Sequence, residues 1–94
     1  MYRVVIKPKA EREFGRLLKE LQKKFYKAFK ELSINPFNLP QLKKIEGTRQ
    51  GYRLRIGRWR ILFTLFSKEK RLEIVDIFLK KSKKDYIKRI KLLK

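Results

Sequence analysis

The sequence predicts an α+β fold in the order β-α-α-β-β-β-(α): one strand, two helices, a three-strand meander and a short final helix. Two observations predict it. Apolar residues recur at helical spacing up to Leu32 and then alternate strictly from Tyr52 onward. Between these regimes Asn35-Pro36, Pro40, Gly47 and Gly51 punctuate the chain. With 94 residues, the chain has room for one domain over 1–94 and not for two.

Tyr2 to Lys7 reads YRVVIK, a short β-branched run ended by Pro8, so a strand is expected. Ala10, Phe14, Leu17, Leu18 and Leu21 then recur with Lys, Arg and Glu between them. Phe25, Ala28, Phe29 and Leu32 repeat the pattern, giving a second amphipathic helix or a continuation of the first. Both apolar stripes are expected to pack on one face of a sheet. Asn35-Pro36 stops the helical pattern, and 37–51 reads as loop. From Tyr52, YRLRI places Tyr52, Leu54 and Ile56 on one face and Arg53 and Arg55 on the other. Gly57-Arg58 is a tight turn into WRILFTLF, and residues 67–70 turn again into RLEIVDIFL. Short turns of this kind make an antiparallel meander. Ser82 can cap a last helix in which Tyr86, Ile87, Ile90 and Leu93 share a face.

Composition narrows the chemistry. The chain has no Cys and no His, which disfavours thiolate catalysis, His-ligated metals and serine hydrolases with a histidine base. No cofactor or metal is expected. No apolar stretch is long enough to span a membrane, and no signal peptide is visible; the chain is expected to remain in the cytoplasm. Lys and Arg number 28 against nine acids, for a net charge of +19. Such self-repulsion destabilises a small fold unless it serves a polyanionic partner, and nucleic acid is the leading candidate. The bland alternative is a lysine-rich solvated surface of the kind heat-adapted proteins carry.

The cations concentrate on the meander and its end: Arg53, Arg55, Arg58 and Arg60, then Lys80, Lys81, Lys83 and Lys84. Arg53 and Arg55 share a strand face, and Arg60 can join them across the short hairpin. Tyr86 follows. Cleaving RNA through its own 2′-hydroxyl needs a proton acceptor, stabilisation of charge on phosphorus and a proton donor for the 5′-oxygen. Arginine stays protonated and suits the second role; Tyr86 or a lysine suits proton transfer. Crowding by cations is expected to lower the pKa of both residue types. On the residues alone, a cutting site and a binding surface stay equally open. Trp59, in phase with Ile61, Phe63 and Leu65, reads as core, as does Tyr52. Tyr86 reads equally as packing or proton transfer, and Lys83 and Lys84 as a solvated run. Asp76, in an otherwise apolar strand, is expected to pair with one of these arginines.

The stretches LKKIEG at 42–47 and GYRLRIGRWRILF at 51–63 closely resemble the central signature of the RelE/ParE toxin superfamily. Its usual form is a Leu-Lys-x-Leu-x-Gly loop, a Tyr-Arg-x-Arg-x-Gly strand and a Tyr-Arg-Ile strand. YRVVIKPKAEREF, the Asn-Pro pair and a late tyrosine after a basic cluster extend the likeness over nearly the whole chain. The resemblance implies a microbial-ribonuclease-like RelE fold: a twisted antiparallel sheet with the two N-terminal helices on one face. It implies the toxin of a type II toxin–antitoxin module and, in the RelE-like branch, an mRNA interferase. Such an enzyme is a ribosome-dependent endoribonuclease that cuts the messenger in the A site by 2′-OH attack and stops translation. Carried over by position, the catalytic set is Arg53, Arg55, Arg60, Lys81 and Tyr86, with Lys80 the alternative to Lys81. Lys43, Lys44, Arg49, Arg58, Lys80, Lys83 and Lys84 are expected to hold RNA.

The implied partners are messenger on the ribosome, with contacts to rRNA, and a small, acidic cognate antitoxin that wraps the toxin and often displaces a C-terminal helix. The main departure is LKKSKKDY at 79–86, where the family commonly has His or Arg before the tyrosine; lysine lacks the bidentate fork of arginine. Two other readings stay open: a ParE-like DNA gyrase inhibitor without chemistry, and a non-toxic nucleic-acid-binding relative.

Overall fold

The computed structural model describes residues 1–81 and 83–93. Strand β1 (Arg3–Ile6) leads into helix α1 (Pro8–Gly15), where Pro8 sits in the first turn and its missing N–H costs nothing. Helix α2 (Lys19–Ile34) follows. It ends where Asn35 turns to extended backbone and its side-chain oxygen accepts the Phe37 N–H at 3.1 Å. The remaining elements are β2 (Leu42–Lys44), β3 (Gly51–Ile56), β4 (Trp59–Phe66), β5 (Arg71–Leu79) and helix α3 (Lys83–Ile90). The expected α+β order holds. Ser82, expected to cap α3, lies outside the described residues.

Two features differ from the reading of the sequence. The 37–51 segment contains a three-residue strand, β2, paired antiparallel to β3 through Leu42↔Leu54, Lys43↔Arg53 and Lys44↔Tyr52. One apolar residue beside two lysines carries too little alternation to announce it. The sheet is also mixed, not wholly antiparallel. Its order is β1-β5-β4-β3-β2, and β1 runs parallel to β5. Alternation tells which side of a strand faces the core, but not the direction of its neighbour.

Helices α1 and α2 cover one face of the sheet. There Phe25, Phe29 and Leu32 pack on Leu54, Ile61, Phe63, Leu65, Leu72, Ile74 and Ile77. The other face holds a smaller cluster of Ile45, Leu62 and Phe78, closed by Tyr86 and Ile90 of α3 and by Leu93. Pairing between β4 and β5 slips at Leu62/Phe63, so that Asp76 faces Leu62 and Ile74 faces Phe63 while Val75 is passed over. This bulge sends Asp76 and Phe78 toward α3 and keeps Ile77 in the main core. Among the described residues no helix is long and apolar enough to cross a membrane.

Candidate nucleic-acid cleft

The two-residue loop Gly57-Arg58 joins β3 to β4, with Gly57 at φ +60°, where a Cβ would be strained. Such a short loop leaves the register little choice, and it sets Arg55 directly opposite Arg60. One strand further out, Lys43 faces Arg53. Like charges directly opposite across strands are destabilising. They line one cleft of about 260 Å³ formed by Pro40, Gln41, Lys43, Arg53, Arg55, Arg60 and Lys80. No acidic residue is among these lining residues.

Arg60 is only 9% exposed. Its Nη1 donates to the carbonyls of Gly57 and Trp59 at 3.1 and 2.9 Å. Its Nε is buried with no partner among the described residues. Burial lowers the Arg60 pKa, Arg53 and Arg55 push the same way, and Tyr86 opposes them; the guanidinium still stays charged at any working pH.

Tyr86 of α3 lies beside Arg53 and Lys80 of the cleft without lining it. Its ring packs on Phe78 at 6.3 Å between centroids, with the Arg53 guanidinium carbon 5.4 Å and Lys80 Nζ 5.8 Å from its centre. The expectation that cation crowding lowers the tyrosine pKa is corrected here. Burial raises it, and the pull of Arg53 and Arg60 does not reverse that. Tyr86 is therefore a protonated donor near neutral pH.

The structure gathers Arg53, Arg55, Arg60, Lys43 and Lys80 in the cleft, sets Tyr86 beside Arg53 and Lys80, and separates the other expected site residues. Lys80, whose N–H donates to Arg58 O at 2.9 Å, lines the cleft. Lys81 instead lines a different groove of about 400 Å³ beside Glu13, Arg16, Trp59 and Arg89. Of Lys80 and Lys81, it is thus Lys80 that lines the cleft. Lys44 is tied locally, its Nζ donating to Thr48 O at 2.6 Å. Arg49, Arg58, Lys83 and Lys84 are exposed and do not line the cleft. A roomier groove of about 510 Å³, lined by Phe14, Tyr26 and lysines of α2, includes none of the expected site residues. Trp59 packs edge-on against Phe25 at 5.9 Å, and Tyr52 stacks on Phe63 at 5.8 Å; both serve the core.

Asp76 pairs with none of the cleft arginines. Its cationic partners are Arg89 of α3 at 3.1 Å and Lys9 of α1 at 3.3 Å. The strand bulge turns it toward helices that the residue pattern did not connect to it. Arg89 had one legible signal: it lies three residues after Tyr86 and so shares its side of the helix. Gln41, in the cleft wall, had none.

The fold is α+β: a mixed five-strand sheet with α1 and α2 on one face, α3 against the other, and a cationic cleft with no acidic lining residue. A family model described as the ParE toxin of type II toxin–antitoxin systems, parDE, matches residues 4–86. The chain belongs to that family, within the RelE/ParE superfamily, and is by fold a type II toxin. Its fold matches solved RelE toxins. The isolated E. coli RelE toxin superposes with a TM-score of 0.75 at 14% identity over 100% of both chains. The archaeal RelE–RelB complex from Pyrococcus horikoshii OT3 gives 0.73 at 26% identity, over 83% of this chain and 93% of that one. The RelB–RelE antitoxin–toxin complex from Methanococcus jannaschii gives 0.72 at 21% identity, over 87% and 96%. No curated protein matches the chain by sequence.

Proposed function

We propose that the protein is a one-domain, cytoplasmic mRNA interferase, a toxin that cleaves messenger RNA in the ribosomal A site. The observation that supports this most is the cleft itself. Arg53, Arg55, Arg60, Lys43 and Lys80 converge without a lining acid, and Arg60 keeps a buried, unpaired Nε. A buried donor without a partner costs about 1–3 kcal/mol. A phosphate seated in the cleft would relieve the cross-strand repulsion among these cations.

In the reaction the 2′-oxygen attacks phosphorus and the bond to the 5′-oxygen breaks, leaving a cyclic phosphate. Arg60, with Arg53 and Arg55, stabilises the charge that builds on the phosphoryl oxygens. Tyr86, held protonated by burial, gives its proton to the departing 5′-oxygen. The 2′-hydroxyl proton leaves to water. Dependence on the 2′-hydroxyl makes the site selective for RNA. A small acidic antitoxin is the cognate partner, consistent with the net charge and with relatives crystallised as RelE–RelB complexes.

The test is cleavage of a defined messenger on ribosomes stalled with a codon in the A site, with cut positions read by primer extension. Wild type should cut there, and Arg60→Ala and Tyr86→Phe should each lose at least ~100-fold in rate. A folded wild type that cuts nothing overturns the reading and makes gyrase inhibition the next assay.

A further inference from the structure

Strand β1 pairs with β5 only as far as Ile6↔Ile74. Beyond that point the outer edge of β5 is covered by α1. The Ile77 N–H donates to Glu13 Oε1 at 3.1 Å, where a further strand would have supplied a carbonyl. Beside it Asp76 is fully buried, 0% exposed. Arg89 Nη1 lies 3.1 Å from each oxygen of Asp76 and 3.6 Å from Glu13 Oε2. The only other cation paired with Asp76 among the described residues is Lys9, at 3.3 Å and half-exposed.

Arg89 and Tyr86 stand one turn apart on α3, and Phe78 touches both: the Arg89 guanidinium carbon lies 4.5 Å from the centre of its ring. The apolar contacts of α3 and the turn after it, made by Tyr86, Ile90 and Leu93, are non-directional and tolerate sliding. The contact with Asp76 does not: a charge-assisted pair has a preferred geometry, and a buried carboxylate resists losing its cation. The position of α3 along the sheet is therefore set at Asp76.

We propose that Arg89 is a positioning residue. Through its pair with buried Asp76 it seats α3 and so holds the Tyr86 ring beside Arg53 and Lys80 of the cleft, without touching RNA itself. The role of Tyr86 here rests on the cleavage reading above; the seating of the helix does not.

The experiment compares wild type, Arg89→Gln, Arg89→Lys, Asp76→Asn and the Arg89→Gln/Asp76→Asn double variant. It measures kcat, KM and the salt dependence of cleavage of ribosome-bound messenger, and amide hydrogen exchange of the free protein. In Arg89→Gln, kcat should fall roughly 10–100-fold while KM and the salt slope hold, because a misplaced donor affects the transition state and not uniform binding. Arg89→Lys should recover most of the loss. The double variant should be no slower than the worse single one, since both remove the same contact. A raised KM with a salt slope shallower by about one would make Arg89 a phosphate contact and overturn the proposal. So would multiplicative losses in the double variant. If wild type cuts nothing, the cleavage reading falls and exchange still decides the seat of α3. Amides of α3 exchanging at least ~10-fold faster in Arg89→Gln, with β4 unchanged, support it, and unchanged α3 amides overturn it. If Asp76→Asn does not fold, the Arg89→Gln and Arg89→Lys pair carries the same decision.

Discussion

Two buried charges lie two register positions apart on the same pair of strands, and the chain treats them in opposite ways. Arg60 faces Phe78 and Asp76 faces Leu62 across β4 and β5. Around Asp76 the fold supplies compensation from two helices, Lys9 from α1 and Arg89 from α3. Around Arg60 it supplies more of the same charge, Arg53 and Arg55, and leaves Nε without an acceptor. Satisfied buried polar groups hold a structure together; unsatisfied ones are kept where a ligand completes them. One cluster is compensated from within the fold, and the other is the cleft proposed to seat RNA.

The widest separation between the two is in activity, where Arg60→Ala is expected to lose at least ~100-fold in rate, against roughly 10–100-fold for Arg89→Gln. Stability should separate them by sign. Arg89→Met strips a buried carboxylate of its main partner and should cost about 1–3 kcal/mol, less than a wholly buried pair because Arg89 is part-exposed and Lys9 remains. Arg60→Met removes an uncompensated cation while keeping its bulk. It should leave stability level or raise it by up to about 1 kcal/mol in urea or thermal melts. A loss of more than that in Arg60→Met would make Arg60 a structural residue and erase the contrast.

A smaller effect concerns Arg55, exposed at the cleft wall. Arg55→Gln should weaken RNA binding and reduce the slope of log affinity against log salt by about one. An unchanged slope would remove Arg55 from the phosphate path.

The smallest effect is a pH dependence at the scaffold cluster. Burial raises the Glu13 pKa, the side-chain hydrogen bond to Asp76 and its charge raise it further, and the Ile77 N–H and Lys9 oppose them. A carboxyl raised in the folded state takes up its proton there before the unfolded chain does. Its contribution is fully present below the unfolded value and is lost as pH rises through the folded one. Relative to Glu13→Gln, wild type should therefore gain stability as pH falls from neutral toward the upper edge of the ordinary carboxylate range. Parallel stability–pH curves for the two proteins would show that Glu13 does not titrate in this way.

Much of the cationic cleft was legible beforehand because its contacts are local in the chain. Alternation put Arg53 and Arg55 on one face, and a two-residue turn carried Arg60 back beside them, so three members follow from 51–63 alone. Lys80 against Lys81 was not decidable, since successive residues at a strand end point to opposite sides and the strand's phase there depends on the bulge near Asp76. Tyr86 was found through its motif, but the direction of its pKa shift was misjudged: the cations were visible in the sequence, and the burial against Phe78 that outweighs them was not.

The order of elements, the two amphipathic helices, the hairpin that pairs Arg55 with Arg60 and the excess of positive charge were determined by the sequence by itself. Each depends on spacing within a few residues or on composition. Only the tertiary structure decided that β1 lies parallel to β5, that its pairing ends at Ile74, and that Asp76 is buried against Lys9 and Arg89 while Arg60 is left unmatched. Those outcomes join residues as far apart as Glu13 and Ile77, and periodicity assigns a residue to a face without naming its partner. The partner follows from where a neighbouring strand stops and where a bulge turns the backbone, which are properties of the assembled sheet.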